Sequence, residues 1–189
     1  MTIDSLIEFN PSRKLAKGTI APYLEMSAIS NTTFCPCGWY DRKFSSGSKF
    51  ISGDTLLARI TPCLENGKAA YITFLEDGQV AWGSTEYIVM RPMGDLHPFF
   101  AYSLARSNDF RDYAEGCMEG SSGRQRVNTD HLKNFEVRLP SQKAVNDFNT
   151  VADSIVPKLN LNFSQIRTLE KLRDTLLPRL MSSEVRLAL

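Results

Sequence analysis

A segment rich in glycine, serine and arginine carries the clearest chemistry in this sequence, which is the binding of phosphate groups and base edges. The segment Gly120–Arg126 reads GSSGRQR. Small residues let backbone amides approach a phosphate, and arginine adds charge-assisted hydrogen bonds. Gln125 can bind adenine, and an arginine can bind guanine, through paired hydrogen bonds. A solvated surface loop can have the same composition, so both interpretations stay open. The candidate DNA-binding residues of this segment are Ser121, Ser122, Arg124, Gln125 and Arg126.

Basic and aromatic residues are also interleaved nearer to the N-terminus, around Trp39, Tyr40 and Tyr71. This mixture is typical of a surface that binds nucleic acid, although ordinary protein surfaces show it too. The net charge of +1 argues against binding through bulk charge alone and leaves room for one basic face. The further candidates for DNA contact are Lys43, Lys49, Arg59 and Lys68, with Arg42 beside them.

Catalytic chemistry is not predicted. The sequence contains no nucleophile elbow, no zinc-protease motif, no P-loop and no dinucleotide-binding fingerprint. Cys117 could pair with His97 or His131, but nothing local distinguishes it from a buried thiol. Cys35 and Cys37 are spaced C-x-C, so we predict reduced thiols and no metal site.

The length of 189 residues suits one globular domain with an appendage. No apolar run reaches about eighteen residues, so no membrane span is expected. The N-terminus does not resemble a signal peptide. These features predict a cytoplasmic protein.

Turn signals divide residues 1–140 into short strands and helices. Asn66 and Gly67 predict a turn between two strands, and Asp77 with Gly78 predicts another hairpin. The strands are expected at Thr55–Ile60, Lys68–Phe74, Gln79–Trp82 and Thr85–Met90, with a last one through Phe135, Val137 and Leu139. Helical spacing runs from His97 to Arg106. The fold class is therefore α+β with antiparallel hairpins.

Residues 141–189 have helical spacing throughout. Ser141 can cap a short helix that ends near Ser154, and Pro157 suits the start of a longer helix that reaches Met181. The longer helix would measure roughly 35–40 Å. Its apolar stripe either docks on the chain's own domain or forms a coiled coil with a second copy, and the near-heptad spacing favours the second. The residues of this stripe are Leu159, Ile166, Leu169, Leu172, Leu176 and Leu180, with polar Asn162 near the seam.

Four stretches together resemble the specificity subunits of type I restriction–modification systems. They are Gly53–Lys68 (GDTLLARITPCLENGK), Gly120–Val127 (GSSGRQRV), Asn134–Pro140 (NFEVRLP) and Leu169–Glu184 (LEKLRDTLLPRLMSSE). The resemblance implies a target-recognition domain at 1–140 and a helical spacer at 141–189. In that family two recognition domains each read half of a bipartite DNA site, and two antiparallel spacer helices hold them apart and dock methylation subunits.

The sequence departs from the family pattern in two respects. It has one recognition domain and one spacer where members usually carry two, and Ser183 stands where the family often has glycine. The chain is thus expected to be either a natural half-subunit or a separated half of a longer one, and it can pair with a second copy or another specificity half.

The resulting hypothesis is a non-catalytic subunit that binds double-stranded DNA. Partner subunits would supply methylation and translocation with cleavage, so S-adenosylmethionine, ATP and Mg²⁺ would belong to those partners and no cofactor to this chain. Two alternatives remain. One is a coiled-coil assembly protein whose globular head binds protein, and the other is an enzyme that uses Cys117.

Overall fold

The computed structural model describes residues 1–121 and 123–182. Short 3-10 turns lie at Ile3–Ser5 and Met26–Ala28. The strands are β1 (Ile7–Phe9), β2 (Ile20–Leu24), β3 (Tyr40–Lys43), β4 (Ser48–Phe50), β5 (Thr55–Ala58), β6 (Ala69–Tyr71), β7 (Ala81–Gly83), β8 (Tyr87–Pro92), β9 (Met118–Glu119) and β10 (Arg126–Val127). The helices are α1 (Phe99–Ala105), α2 (Asn108–Gly116), α3 (Thr129–Leu132) and α4 (Gln142–Met181).

Within the described ranges the strands form two four-stranded sheets and one two-stranded ribbon. The first sheet has the order β1-β8-β5-β6 and is antiparallel. The second has the order β3-β2-β7-β4 and is mixed, because β2 and β7 run parallel. The ribbon pairs β9 with β10. The predicted α+β class with a long C-terminal helix is confirmed.

The main core cluster is built from buried residues of both four-stranded sheets. Every residue of β5 is buried, which is why Thr55–Ala58 reads as a continuous apolar run without the alternation of a half-exposed strand. Leu56 packs in one cluster with Phe50, Ile72 and Tyr87. Fully burying one such apolar side chain contributes about 1.5–3 kcal/mol. The core therefore fixes β5 and the residues that follow it.

One predicted hairpin is confirmed and the other is wrong. β5 and β6 pair antiparallel across the turn at Asn66 and Gly67, where Gly67 has φ +67°. The turn at Asp77 and Gly78 does not join paired strands, because β7 pairs with β2 and β4 in the other sheet. Trp82 is nearly fully buried there and packs with Ala21 and Phe44.

The strand predicted through Phe135, Val137 and Leu139 is also absent from the described strands. The segment instead makes backbone bonds to the N-terminus, from the Ile3 amide to the Phe135 carbonyl (2.9 Å) and from the Val137 amide to the Met1 carbonyl (2.8 Å). The two segments do not pair beyond these contacts, so they form an isolated bridge and not a strand.

The helix break predicted at Pro157 is wrong. α4 runs continuously from Gln142 to Met181 with Pro157 and Pro178 inside it. A proline removes one backbone hydrogen bond and can bend a helix, but the flanking turns stay bonded. The predicted cap is confirmed, since the Ala144 amide donates to Oγ of Ser141 at 3.2 Å.

The chain divides into two compact units, Met1–Asp153 and Ser154–Leu189. The first turns of α4 belong to the first unit. Asn149 accepts from the His97 amide (2.8 Å) and donates to the Asp95 carbonyl (2.5 Å), while Val145 and Ala152 are buried. The predicted division into 1–140 and 141–189 places the boundary at the start of the helix, and it stays a prediction.

The second unit, so far as it is described, is helix with an exposed apolar series. The exposed fractions are 53% for Ile166, 64% for Leu169, 49% for Leu172, 43% for Leu176 and 37% for Leu180. Leu161 and Leu177 are exposed as well, whereas Leu159 is half-buried and Asn162 exposed. Across 1–121 and 123–182, no helix is both long and apolar enough to cross a membrane.

Candidate nucleic-acid interface

The arginine-containing segment predicted to bind DNA is the loop of a β-hairpin. Arg126 and Val127 of β10 pair with Glu119 and Met118 of β9, so residues 120–125 connect the two strands. The Arg124 amide donates to the Ser121 carbonyl at 3.0 Å, which closes a turn. Ser121 and Arg124 are exposed, and Ser122 lies outside the described residues.

The base of this loop is fixed to the chain that follows β5. The Gln125 amide donates to Oγ1 of Thr61 at 3.1 Å, and the Thr61 amide donates to the Gln125 carbonyl at 3.1 Å. The Val127 amide donates to the Arg59 carbonyl at 2.8 Å. These bonds place the hairpin beside the end of a buried strand, while the half-buried Gln125 side chain and exposed Arg124 lie beyond it.

The two loop arginines differ in their partners. Arg126 forms a close ion pair with Glu86. Its Nε lies 2.9 and 3.0 Å from the two carboxylate oxygens, and its Nη2 lies 2.8 Å from Oε1. This hydrogen-bonded pair raises the pKa of Arg126 above its usual value. Within the described ranges no ion pair involves Arg124. Arg126 is therefore engaged inside the molecule, and Arg124 is available to a ligand.

A polar pocket of about 310 Å³ lies next to this hairpin's anchor and is called the basic pocket below. Arg13, Lys49 and Arg59 line it, and none of its lining residues is acidic. Two predicted DNA-binding residues, Lys49 and Arg59, are thus brought together. Nζ of Lys49 donates to the Arg13 carbonyl at 3.2 Å and lies 4.9 Å from the centre of the Phe44 ring.

Arg59 connects the basic pocket to the hairpin. Its Nε lies 4.0 Å from Oε2 of Glu86, beyond hydrogen-bonding distance, whereas Arg126 binds the same carboxylate closely. Glu86 therefore neutralises Arg126 more fully than Arg59. The pocket, Glu86 and the hairpin form one continuous set of charged groups.

The buried carboxylate of Asp54 binds the guanidinium group of Arg13 and so orients it. Oδ1 accepts from Nη2 of Arg13 at 3.4 Å and from Nη1 of Arg91, and Oδ2 accepts from the Ile51 amide at 2.8 Å. The carboxylate is fully buried and sits between two cations, the arrangement that allows a buried charge.

The remaining predicted cations lie apart from the basic pocket. Lys43 is exposed on β3. Lys68 is half-buried, and its Nζ donates to the Met26 carbonyl at 3.4 Å. Arg42 stacks over Tyr23, with its guanidinium carbon 4.7 Å from the ring centre. The structure does not join these residues to the pocket or the hairpin.

Two groups that build this interface were missed by sequence reasoning. Arg13 had a visible signal, since it stands in a basic cluster with Lys14 and Lys17. Glu86 had none, because its two arginine partners are distant in sequence and only the fold brings them together.

The residues of the thiol-enzyme alternative have other partners. His97 lies 3.4 Å from Asp153, and His131 lies 3.3 Å from Glu119. Burial, and then the neighbouring Cys117, raise the pKa of Tyr113. Within residues 1–121 and 123–182 the four cysteines form no disulfide, and no group of three or more side chains is placed to hold a metal ion.

Comparison with known proteins gives a consistent result. No family model matches the chain. It is 35% identical over 103 residues to the EcoAI type I restriction enzyme specificity subunit of Escherichia coli, a match covering 54% of this chain and 17% of that relative. The HsdS subunit from Thermoanaerobacter tengcongensis matches with a TM-score of 0.55 at 21% identity, over 84% of this chain and 39% of its own. The type I S subunit from M. genitalium matches with a TM-score of 0.57 at 19% identity, over 96% and 45%.

The described residues thus comprise an α+β domain, which carries the basic pocket and the arginine-containing hairpin, and a long C-terminal helix. The chain has the fold of type I S subunits and is related in sequence to the specificity subunits of type I restriction enzymes. It spans less than half the length of these relatives and solved subunits.

Proposed function

We propose that this chain recognises a specific sequence in double-stranded DNA for a type I restriction–modification complex. The similarity to the EcoAI specificity subunit is the observation that carries the proposal. The basic pocket and the exposed Arg124 support it, because a protein with a net charge of only +1 needs its cations concentrated on one surface to bind DNA.

The hairpin and the pocket have different roles in this proposal. Exposed Arg124 and half-buried Gln125 belong to a loop whose backbone is anchored at Thr61, so their side chains can meet base edges from a fixed support. The cations of the pocket hold the register on the sugar–phosphate backbone, which carries no direct sequence information. Arg126, bound to Glu86, positions the hairpin.

Duplex-binding measurements with matched arginine variants test these roles. We expect Arg124→Ala either to relax the preference at one base pair by about 1–3 kcal/mol or to weaken all sequences equally and reduce the salt dependence. Arg138→Ala removes the same charge from an exposed position outside the hairpin and serves as the control. If Arg124→Ala and Arg138→Ala bind alike, at every salt concentration, Arg124 has no special role.

Arg126→Ala should behave differently from Arg124→Ala. Removing Arg126 leaves Glu86 with only the loose contact to Arg59, so the anchor of the hairpin weakens. We expect a lower melting temperature together with weaker DNA binding for Arg126→Ala, and unchanged melting for Arg124→Ala. Equal melting temperatures for all three proteins would contradict the positioning role.

Partner subunits would carry out the chemistry. In this proposal a methylation subunit uses S-adenosylmethionine, a translocase/endonuclease subunit uses ATP and Mg²⁺, and this chain is non-catalytic. Mapping of methylated adenines in cells that express the chain with its methylation partner tests this assignment. Methylation at one bipartite sequence is expected, and an unchanged methylation map with and without the chain would reject it.

Pairing of two copies through α4 would supply the second half of a bipartite site. Burial of the exposed half of one leucine or isoleucine contributes about 0.8–1.5 kcal/mol, half the value for a fully exposed side chain. Five such residues on each of two helices contribute about 8–15 kcal/mol, comparable to the roughly 4–15 kcal/mol that association costs. A net gain of about 7–8 kcal/mol, which lies within these ranges, corresponds to a dissociation constant of about 1–10 μM. We expect pairing in that range, and identical partners imply an inverted-repeat target.

Analytical ultracentrifugation of a helix variant tests the pairing. Replacement of Ile166 and Leu169 together by lysine places two charges in the apolar series and should yield monomers with an unchanged recognition domain. Lys171→Gln, on the exposed surface of the same helix, is the control and should leave the pairing intact. A wild-type chain that sediments as a monomer at tens of micromolar would exclude the homodimer and leave a second specificity half as the partner.

A further inference from the structure

We infer that the basic pocket binds one phosphodiester group of the DNA backbone and so sets the register of the recognition domain on the duplex. This inference rests on the proposed function and adds a specific site to it. The pocket brings cations together from three separate segments: Arg13 after β1, Lys49 on β4 and Arg59 after β5. Only the folded chain creates this combination.

The charge of the pocket is not neutralised from within. Its lining contains three cations and no carboxylate. Arg13 shares the single carboxylate of Asp54 with Arg91, and Arg59 has only a loose contact with Glu86. Lys49 takes part in no ion pair among the residues that the structure describes. The local excess of positive charge therefore favours an anion.

The guanidinium groups of the pocket also have N–H donors without a hydrogen-bond partner. Nε of Arg13 and Nε of Arg59 are buried and have no hydrogen-bond partner. Both Nε atoms are closed to solvent, so an acceptor in the pocket would bind the other N–H groups of Arg13 and Arg59, whose side chains are 17% and 30% exposed. Phosphate oxygens are the acceptors that guanidinium groups bind best, because two N–H groups can bind at once.

The walls of the pocket are held in place before any ligand arrives. Asn10 has φ +52°, and its amide and Oδ1 bind the carbonyl and the amide of Val89 at 2.7 and 2.9 Å. This double contact fixes the turn that leads to Arg13. On the opposite segment, Gly47 lies so close to Gly83 that a Cβ atom would sit 1.9 Å from its carbonyl oxygen. A preorganised site loses little conformational entropy on binding.

The volume of the pocket suits a single phosphate group. A volume of about 310 Å³ admits a phosphate with its water shell but not the width of a duplex. DNA therefore has to lie across the opening and present a single backbone phosphate. Exposed Thr85 and Ser12, which also line the pocket, offer hydroxyl groups at this level.

The salt dependence of duplex binding tests this site. Lys49→Gln removes the pocket cation that takes part in no ion pair among the described residues, and it should weaken cognate and unrelated duplexes by the same factor, about three- to tenfold. The slope of log K against log salt should fall by about 0.9, the value for one phosphate contact. Lys171→Gln, which removes the same charge on α4, should change neither quantity.

A second variant covers the case in which Lys49→Gln disturbs the fold. Thr85→Glu adds a negative charge at an exposed lining position and removes no hydrogen bond of the described structure, and it should weaken binding at least as much. Unchanged affinity and salt slope in both variants would overturn the inference while leaving the proposed function standing.

Titration with inorganic phosphate separates a DNA site from a general anion site. We expect phosphate to compete with DNA and to raise the melting temperature of the wild type, relative to chloride at equal ionic strength, but not that of Thr85→Glu. A wild type that binds no duplex would reject both the proposed function and the DNA source. Saturable phosphate binding lost in Thr85→Glu would then show that the anion site itself exists, and its absence would reject the site as well.

Discussion

The buried carboxylate of Asp54 offers a direct test of how the basic pocket is constructed. It is the shared partner of Arg13 and Arg91 and the acceptor of the Ile51 amide. Replacing Asp54 by alanine removes all three interactions at once and leaves two guanidinium groups without a counter-charge. We expect Asp54→Ala to lower the free energy of unfolding by about 3–4 kcal/mol.

The magnitude follows from the exposure of the partners. Loss of one member of a buried ion pair costs about 3–5 kcal/mol when the other charge stays buried. The Arg13 and Arg91 side chains keep 17% and 30% of their exposure, so both can regain water and the loss falls in the lower part of this range. The unpaired Ile51 amide adds to the loss, by up to about 1 kcal/mol if it too regains water.

Asp54→Asn is the matched control. It keeps the shape of the side chain and one oxygen that can accept from Ile51, and it loses only the charge. We expect about half the destabilisation of Asp54→Ala. Urea denaturation followed by far-ultraviolet circular dichroism gives both values, provided that the dependence on denaturant stays the same. A loss below about 1 kcal/mol for Asp54→Ala would contradict the reasoning, because it would mean that the two arginines need no buried partner.

Two further predictions concern the same domain. Gly47→Ala should destabilise it by about 1–3 kcal/mol, because the new Cβ meets the Gly83 carbonyl, whereas Gly38→Ala, with open space around it, should not. Burial raises the pKa of Tyr71 to about 12, and it also raises the pKa of Tyr87 and Tyr102, so absorbance at alkaline pH should show a late ionisation whose amplitude falls by one tyrosine in Tyr71→Phe. Because the folded pKa exceeds the unfolded value of 10.0, Tyr71 leaves the free energy of unfolding unchanged below pH 10. That free energy falls as the pH rises from 10 towards 12. Ionisation of Tyr71 near pH 10 in the folded chain would contradict its burial.

Local sequence patterns predicted the helices and strands of this chain better than they predicted which strands pair with each other. Strand β5 was recognisable from a continuous apolar run, and the Ser141 cap from a single side chain, because both depend on neighbours in sequence. The pairing of β7 with β2 and β4 involves strands distant in sequence and could not be predicted from the turn at Asp77 and Gly78. Pro157 predicted a break, yet a helix with bonded flanking turns continues through one missing donor.

The candidate site shows the same division. Arg124 and Lys49 were recognisable as cations in suitable surroundings. Whether a cation is available to a ligand depends on the carboxylates that the fold brings near it, and these lie far away in sequence. The sequence pattern therefore predicts the same role for Arg124 and Arg126, although Arg126 is paired with Glu86 in the structure.

The position of Glu86 explains why one carboxylate can serve both parts of the interface. It binds Arg126 closely and Arg59 loosely, so it anchors the hairpin without neutralising the basic pocket. A shorter contact to Arg59 would have neutralised the pocket from within, and loss of the contact to Arg126 would remove one anchor of the hairpin while leaving its bonds to Thr61 and Arg59. If the proposed roles are correct, these unequal distances would hold the residues proposed to read bases and those proposed to bind phosphate in a fixed relation, which sequence-specific binding requires.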